Sequence, residues 1–133
     1  MLKDPDRTEG CKLHVASFRH DELSLNQVNE ILSENQLYTN AYIIRGAIQA
    51  LFNMSEEQRA NEIMNREGMR DKKNYTFSVR LSERSYVQVL KILEDNPLYR
   101  PSHVIRGAIQ ALFRMTKENR RIEILSFDDR QER

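Results

Sequence analysis

Glycine, proline and cysteine are all scarce: 133 residues hold four, three and one of them. So few turn-formers argue against long loops and against sheet-rich folds. A lone cysteine, Cys11, leaves no intrachain disulfide to staple the chain. No apolar run approaches the roughly 18–20 residues that a bilayer span requires. Met1–Gly10 is polar and mixed in charge, without the apolar core of a signal peptide, so the expected compartment is the cytoplasm, with no membrane partner. A surplus of either charge is missing too, since 21 basic and 20 acidic side chains leave a net charge of +1. Nucleic-acid binders often carry a stronger basic excess, but charge can also be concentrated on one face. No nucleophile elbow, phosphate loop or pair of catalytic carboxylates is present, and the expectation is that the chain is not an enzyme. Cys11, His14 and His20 match no established metal spacing, and Lys72, Tyr75 and Leu81 stand at the corresponding places later in the chain. No metal and no cofactor is expected.

What the chain does have is a repeat. Ile44-Arg45-Gly46-Ala47-Ile48-Gln49-Ala50-Leu51-Phe52 recurs letter for letter at Ile105–Phe113, an offset of 61 residues. At the same offset Ile31–Tyr38 resembles Ile92–Tyr99, Val28 matches Val89, Glu22 matches Glu83, and Ser17-Phe18-Arg19 matches Ser78-Val79-Arg80. A nine-residue identity is not chance, and the chain is a tandem duplication. The expected layout is an N-terminal arm over 1–11, a first repeat over 12–72, a second over 73–126 and a tail over 127–133.

Within the second copy, Tyr75–Leu81 alternates large apolar with polar residues, the period of a half-buried strand. Phe77, Val79 and Leu81 are expected to face a core, with Thr76, Ser78 and Arg80 on the open side. Ser82 can cap the next helix, and Ser85-x-x-Gln88 offers a second cap-like start. The buried stripe of that helix is expected at Tyr86, Val89, Leu90, Ile92 and Leu93. Asp95-Asn96-Pro97 stops it, and Pro101 suits the first position of the following helix. A third helix is expected from Thr116 to about Ser126. The first copy reads the same way, with a strand over Leu13–His20 and helices over Glu22–Glu34, Asn40–Asn53 and Glu56–Arg66. Ser55-x-x-Gln58 makes a capping box for the last. Leu13, Val15, Ala16 and Phe18 do not alternate cleanly, so a bulge or register shift is open there.

One strand per repeat has no partner of its own, but two repeats supply two strands. Thr76–Leu81, the helix after Ser82, and Arg100-Pro101-Ser102-His103-Val104-Ile105-Arg106-Gly107-Ala108-Ile109 resemble the ribbon–helix–helix (MetJ/Arc-like) family. The likeness covers about 45 residues of each copy, and the tandem arrangement is similar to that of plasmid-transfer and archaeal viral regulators. It implies a mainly α fold with a short two-stranded antiparallel β-ribbon, the duplicated unit forming an intrachain pseudo-dimer. It also implies double-stranded DNA as partner, with the ribbon reading bases in the major groove, and a role as transcriptional regulator, more often a repressor. For a viral protein the compartment becomes the host cytoplasm. Base-reading positions fall on Thr76, Ser78 and Arg80, and on Val15, Ser17 and Arg19. Phosphate anchors fall on the second helix starts, Thr39 and Asn40 in one copy and Arg100 and Ser102 in the other, with Lys12 and Lys73 before the strands. The third helix of each copy is an addition to the pattern, expected to be an oligomer interface or a lid on the core. A higher homo-oligomer of pseudo-dimers is a further partner expectation.

Plainer roles stand beside these. Arg19 and Arg80 can be solvated strand arginines, and Ser17, Ser78 and Thr76 ordinary exposed strand residues. Arg45 and Arg106 lie a full turn inside their helices, which favours a structural role over DNA reading. Gly46 and Gly107 each cost a helix about 1 kcal/mol relative to Ala, so their repetition points to close helix packing. The alternative function is a protein-interaction module, antitoxin-like or an assembly factor, in which the ribbon is only structural.

Overall fold

A computed structural model of the chain describes residues 13–20, 22–64 and 75–126, with backbone alone over 13–20 and 75–80 and at 126. Lys12, Lys73, the expected arm and the expected tail lie outside the described residues. In chain order the elements are β1 (Leu13–His20), α1 (Glu22–Leu32), α2 (Asn40–Phe52), α3 (Glu56–Met64), β2 (Tyr75–Ser82), α4 (Glu83–Leu93), α5 (Pro101–Phe113) and α6 (Lys117–Ser126).

Local chemistry explains most boundaries. Ser82 Oγ accepts the Ser85 amide at 3.2 Å and starts α4, while Thr39 Oγ1 accepts the Tyr42 amide at 3.1 Å and starts α2. The Ser55–Gln58 box is reciprocal: Gln58 N donates to Ser55 Oγ at 3.1 Å and Ser55 N to Gln58 Oε1 at 3.2 Å. Between first and second helices the chain turns on Asn35 and Asn96, whose Oδ1 atoms accept the Leu37 and Leu98 amides, each at 2.9 Å. β1 and β2 pair antiparallel in a continuous register from Leu13↔Ser82 to His20↔Tyr75, with no bulge.

One core serves both repeats. Ile43, Ile44, Ile48 and Leu51 of α2 and Val104, Ile109 and Leu112 of α5 are fully buried together with Ile31, Ile92, Ile63 and Ile124. Helices α2 and α5 pack on each other, and each also meets the strand of the other repeat.

Three sequence expectations are corrected. In fold class, the described chain is mainly helical, built on six helices, with β structure limited to one pair of eight-residue strands. It is not a pair of self-contained ribbon–helix–helix modules, because the third helices change places. Helix α3 of the first repeat packs on α5 of the second, and α6 of the second packs on α2 of the first. Each third helix thus closes over the core from the other repeat, through Ile63 or Ile124. Both are exchanged parts of the core. Lastly, the buried stripe of α4 is Ser85, Gln88, Val89 and Ile92, while Tyr86 and Leu90 are exposed. Ser85 and Gln88 are thus interior residues of the helix and not a second start.

The exchange rests on matched contacts. A Cβ on Gly46 would sit 2.9 Å from Ile124 Cα, and one on Gly107 would sit 2.8 Å from Ile63 Cγ1 and 3.0 Å from Ile63 Cα. Only glycine lets the helices approach so closely. Arg59 Nε donates to Asp95 Oδ2 at 2.8 Å and its Nη1 donates to the Phe52 and Met54 carbonyls. At the offset of one repeat, Arg120 Nε donates to Glu34 Oε1 at 3.1 Å and its Nη1 to the Phe113 and Met115 carbonyls. Gln49 Nε2 donates to Glu123 and Gln110 Nε2 to Glu62.

Candidate nucleic-acid interface

The register decides which strand positions share a face. Val15 pairs with Arg80, Ser17 with Ser78 and Arg19 with Thr76. Directly opposed residues lie on the same side of an antiparallel pair, so these six positions share one face. Leu81 is buried and, one residue from Arg80, belongs to the opposite face by pleat alternation. Ser17 and Ser78 mark the centre, and Arg19 and Arg80 stand four positions apart along the pair, on different strands. At about 3.3 Å per residue that separation is about 13 Å.

The second helices bring their starts from the other side of the sequence. Thr39, the N-cap of α2, and Asn40 after it are exposed. Thr39 uses its side chain on the Tyr42 amide, and the first amides of a helix have no carbonyl behind them. Arg100 is the N-cap of α5 and makes no side-chain cap bond; it is exposed, whereas Ser102 is half-buried. Pro101 contributes no amide there, so the two helix starts differ: α2 offers polar hydroxyl and amide groups, α5 a guanidinium. The tyrosine before each start is tucked in. Burial, followed by the Glu34 carboxylate, raises the Tyr38 hydroxyl above its ordinary pKa, and burial followed by Asp95 does the same for Tyr99. Both hydroxyls stay protonated at neutral pH.

Arg45 is held within its own helix, with Nε donating to the Ala41 carbonyl at 3.2 Å and the guanidinium 5.3 Å from the Tyr42 ring centre. That is a structural occupation, unlike the exposed Arg100. Sequence reasoning did not single out Arg59 and Arg120, whose guanidiniums join the two repeats. The signal was available: both occupy the same place in their repeats, five residues after Met54 and Met115. Among the described residues no group of three or more His, Cys, Asp or Glu gathers as a metal site. No helix among them is long and apolar enough to cross a membrane. No family model, no curated protein and no solved structure matches the chain.

Proposed function

We propose that the protein binds double-stranded DNA sequence-specifically through the shared face of β1 and β2, and regulates transcription by occupying a promoter. The observation that carries this reading is the register, which gathers Val15, Ser17, Arg19, Thr76, Ser78 and Arg80 on one face of a two-stranded pair. Such a pair fits the major groove of B-DNA, where every base pair presents its own pattern of donors and acceptors. Arginine suits guanine, bonding O6 and N7 together, which discriminates by about 1–3 kcal/mol. The separation of Arg19 and Arg80 corresponds to about four base-pair steps. Val15 opposite Arg80 and Thr76 opposite Arg19 make the halves of the face unlike, so the two half-sites are related but unequal. Arg100 and the start of α2 supply phosphate contacts, which fix register without reading sequence.

The test is selection from a randomised duplex pool, with the wild type beside an Arg19→Ala/Arg80→Ala variant. Enrichment of two unequal half-sites with guanines about four base pairs apart, lost in the variant, supports the reading. No enrichment even at low salt, where phosphate contacts are strongest, refutes it. The near-neutral charge, +1 over the whole chain, favours a second reading as a protein-interaction module, and that reading takes precedence if selection fails.

A further inference from the structure

The first helices of the two repeats bury the same positions: Ser24, Gln27, Val28 and Ile31 in α1, and Ser85, Gln88, Val89 and Ile92 in α4. Their outward faces differ. On α4, Tyr86, Val87 and Leu90 are 36%, 36% and 43% exposed. At the matching places α1 carries Leu25, half-buried, and Asn26 and Asn29, both exposed. The flanking charges differ as well. Helix α1 presents Glu22 and Glu30, acidic at both ends of its face, whereas α4 presents Glu83 and Arg84 at one end and Lys91 at the other, so that both signs are available.

We infer that the outer face of α4 is a self-association surface, and that its occupant is α4 of a second copy of this chain. Glu83, Val87 and Lys91 are spaced by four and lie on one stripe of the helix. Two α4 helices crossing antiparallel about a twofold axis near Val87 set Glu83 of each copy opposite Lys91 of the other. The apolar residues meet in the middle. The same operation on α1 opposes Glu22 to Glu30 and buries asparagines, so the first repeat is built against this contact. One such helix face per molecule among the described residues closes on itself as a dimer of whole chains; two would propagate into open assemblies. A single helix face is well short of the ~800 Å² per partner of a standard interface. The dimer is therefore weak, with a dissociation constant on the order of 10–100 µM. None of this depends on DNA binding.

Sedimentation equilibrium of the full chain, without DNA, from about 1 to about 500 µM tests it. The wild type should rise from the 15.8 kDa monomer towards twice that mass and stop there. Val87→Asn/Leu90→Asn, which gives α4 the residues of α1, should weaken association at least ~10-fold, and Lys91→Glu should weaken it by like-charge opposition. Both changes are on exposed positions, so an unaltered thermal melt separates lost association from lost folding. Asn26→Val/Asn29→Leu/Glu30→Lys creates a second patch and should drive the mass beyond the dimer. A wild type that stays monomeric throughout overturns the inference and leaves a different partner for the patch. So does a Val87→Asn/Leu90→Asn variant that associates as tightly as the wild type.

Discussion

Compared at the 61-residue offset, the inner and outer surfaces of the two repeats have had different histories. The buried contacts between repeats come in matched pairs: Gly46 with Ile124 and Gly107 with Ile63, Arg59 with Asp95 and Arg120 with Glu34, Gln49 with Glu123 and Gln110 with Glu62. The more exposed Arg114–Glu62 ion pair has no equivalent, since Asn53 stands at the place of Arg114. The outward faces of α1 and α4, and the two helix starts at Thr39 and Arg100, do not match. A close-packed contact tolerates little change in volume, so both copies keep it. A solvent face is free to vary, and differences there can become specificity.

The largest effect expected from breaking the matched set is at Arg120. Its side chain is 10% exposed against 16% for Arg59, and truncation leaves the Glu34 carboxylate and two carbonyls without their donor. Arg120→Ala should cost about 3–5 kcal/mol in urea unfolding, with Arg59→Ala costing less. An equal or reversed order would mean that the two clasps differ in some way other than burial. Next are the glycines. Gly46→Ala brings its Cβ against the Ile124 backbone, whereas at Gly107 the nearest atom is the Ile63 side chain. Overpacking of about 1–3 kcal/mol should outweigh the helix-propensity gain of about 1 kcal/mol, and Gly46→Ala should be the more damaging in thermal melts. Removing half of the reciprocal box by Ser55→Ala should cost about 1 kcal/mol. Thr116 caps α6 through one bond only, to the Asn119 amide, so Thr116→Ala should cost less. Smallest is Arg121→Ala, whose ion pair with Glu118 is exposed. It should move stability by no more than about 0.5 kcal/mol, so that neighbouring arginines in one helix separate by several-fold in the same assay.

The strand limits at Leu13–His20, the helix starts at Ser82, Pro101 and Ser55, and the stop near Asn96 were all legible, because each rests on residues within a few positions of it. Two features were not. The exchange of α3 and α6 leaves no mark in a periodic pattern: an apolar stripe at Ile63 fits the copy of helix two in either repeat equally well, as those helices are identical over nine residues. The interior face of α4 is hidden in the sequence because apolar spacing weights large side chains above small polar ones. The core there takes Ser85, fully buried with its hydroxyl accepting from Ser82 Oγ at 3.3 Å, and leaves Tyr86 and Leu90 outside. At the candidate interface, the pattern named the strand positions, but it took the register to show that Arg19 lies opposite Thr76 and not opposite Arg80.

Exchanged third helices also set the order in which the chain can acquire its structure. The notch at Gly46 stays empty until Ile124 arrives, and Glu34 waits for Arg120, 86 residues further on. During synthesis the first repeat emerges with its strand unpaired and its second helix uncovered, and no contact made within that repeat can complete it. Folding in which such distant segments must meet is slower than folding through local contacts. Both halves then lock in a single event, so partial unfolding of one repeat uncovers the other, and a protease should find the helices of the two repeats either all closed or all open.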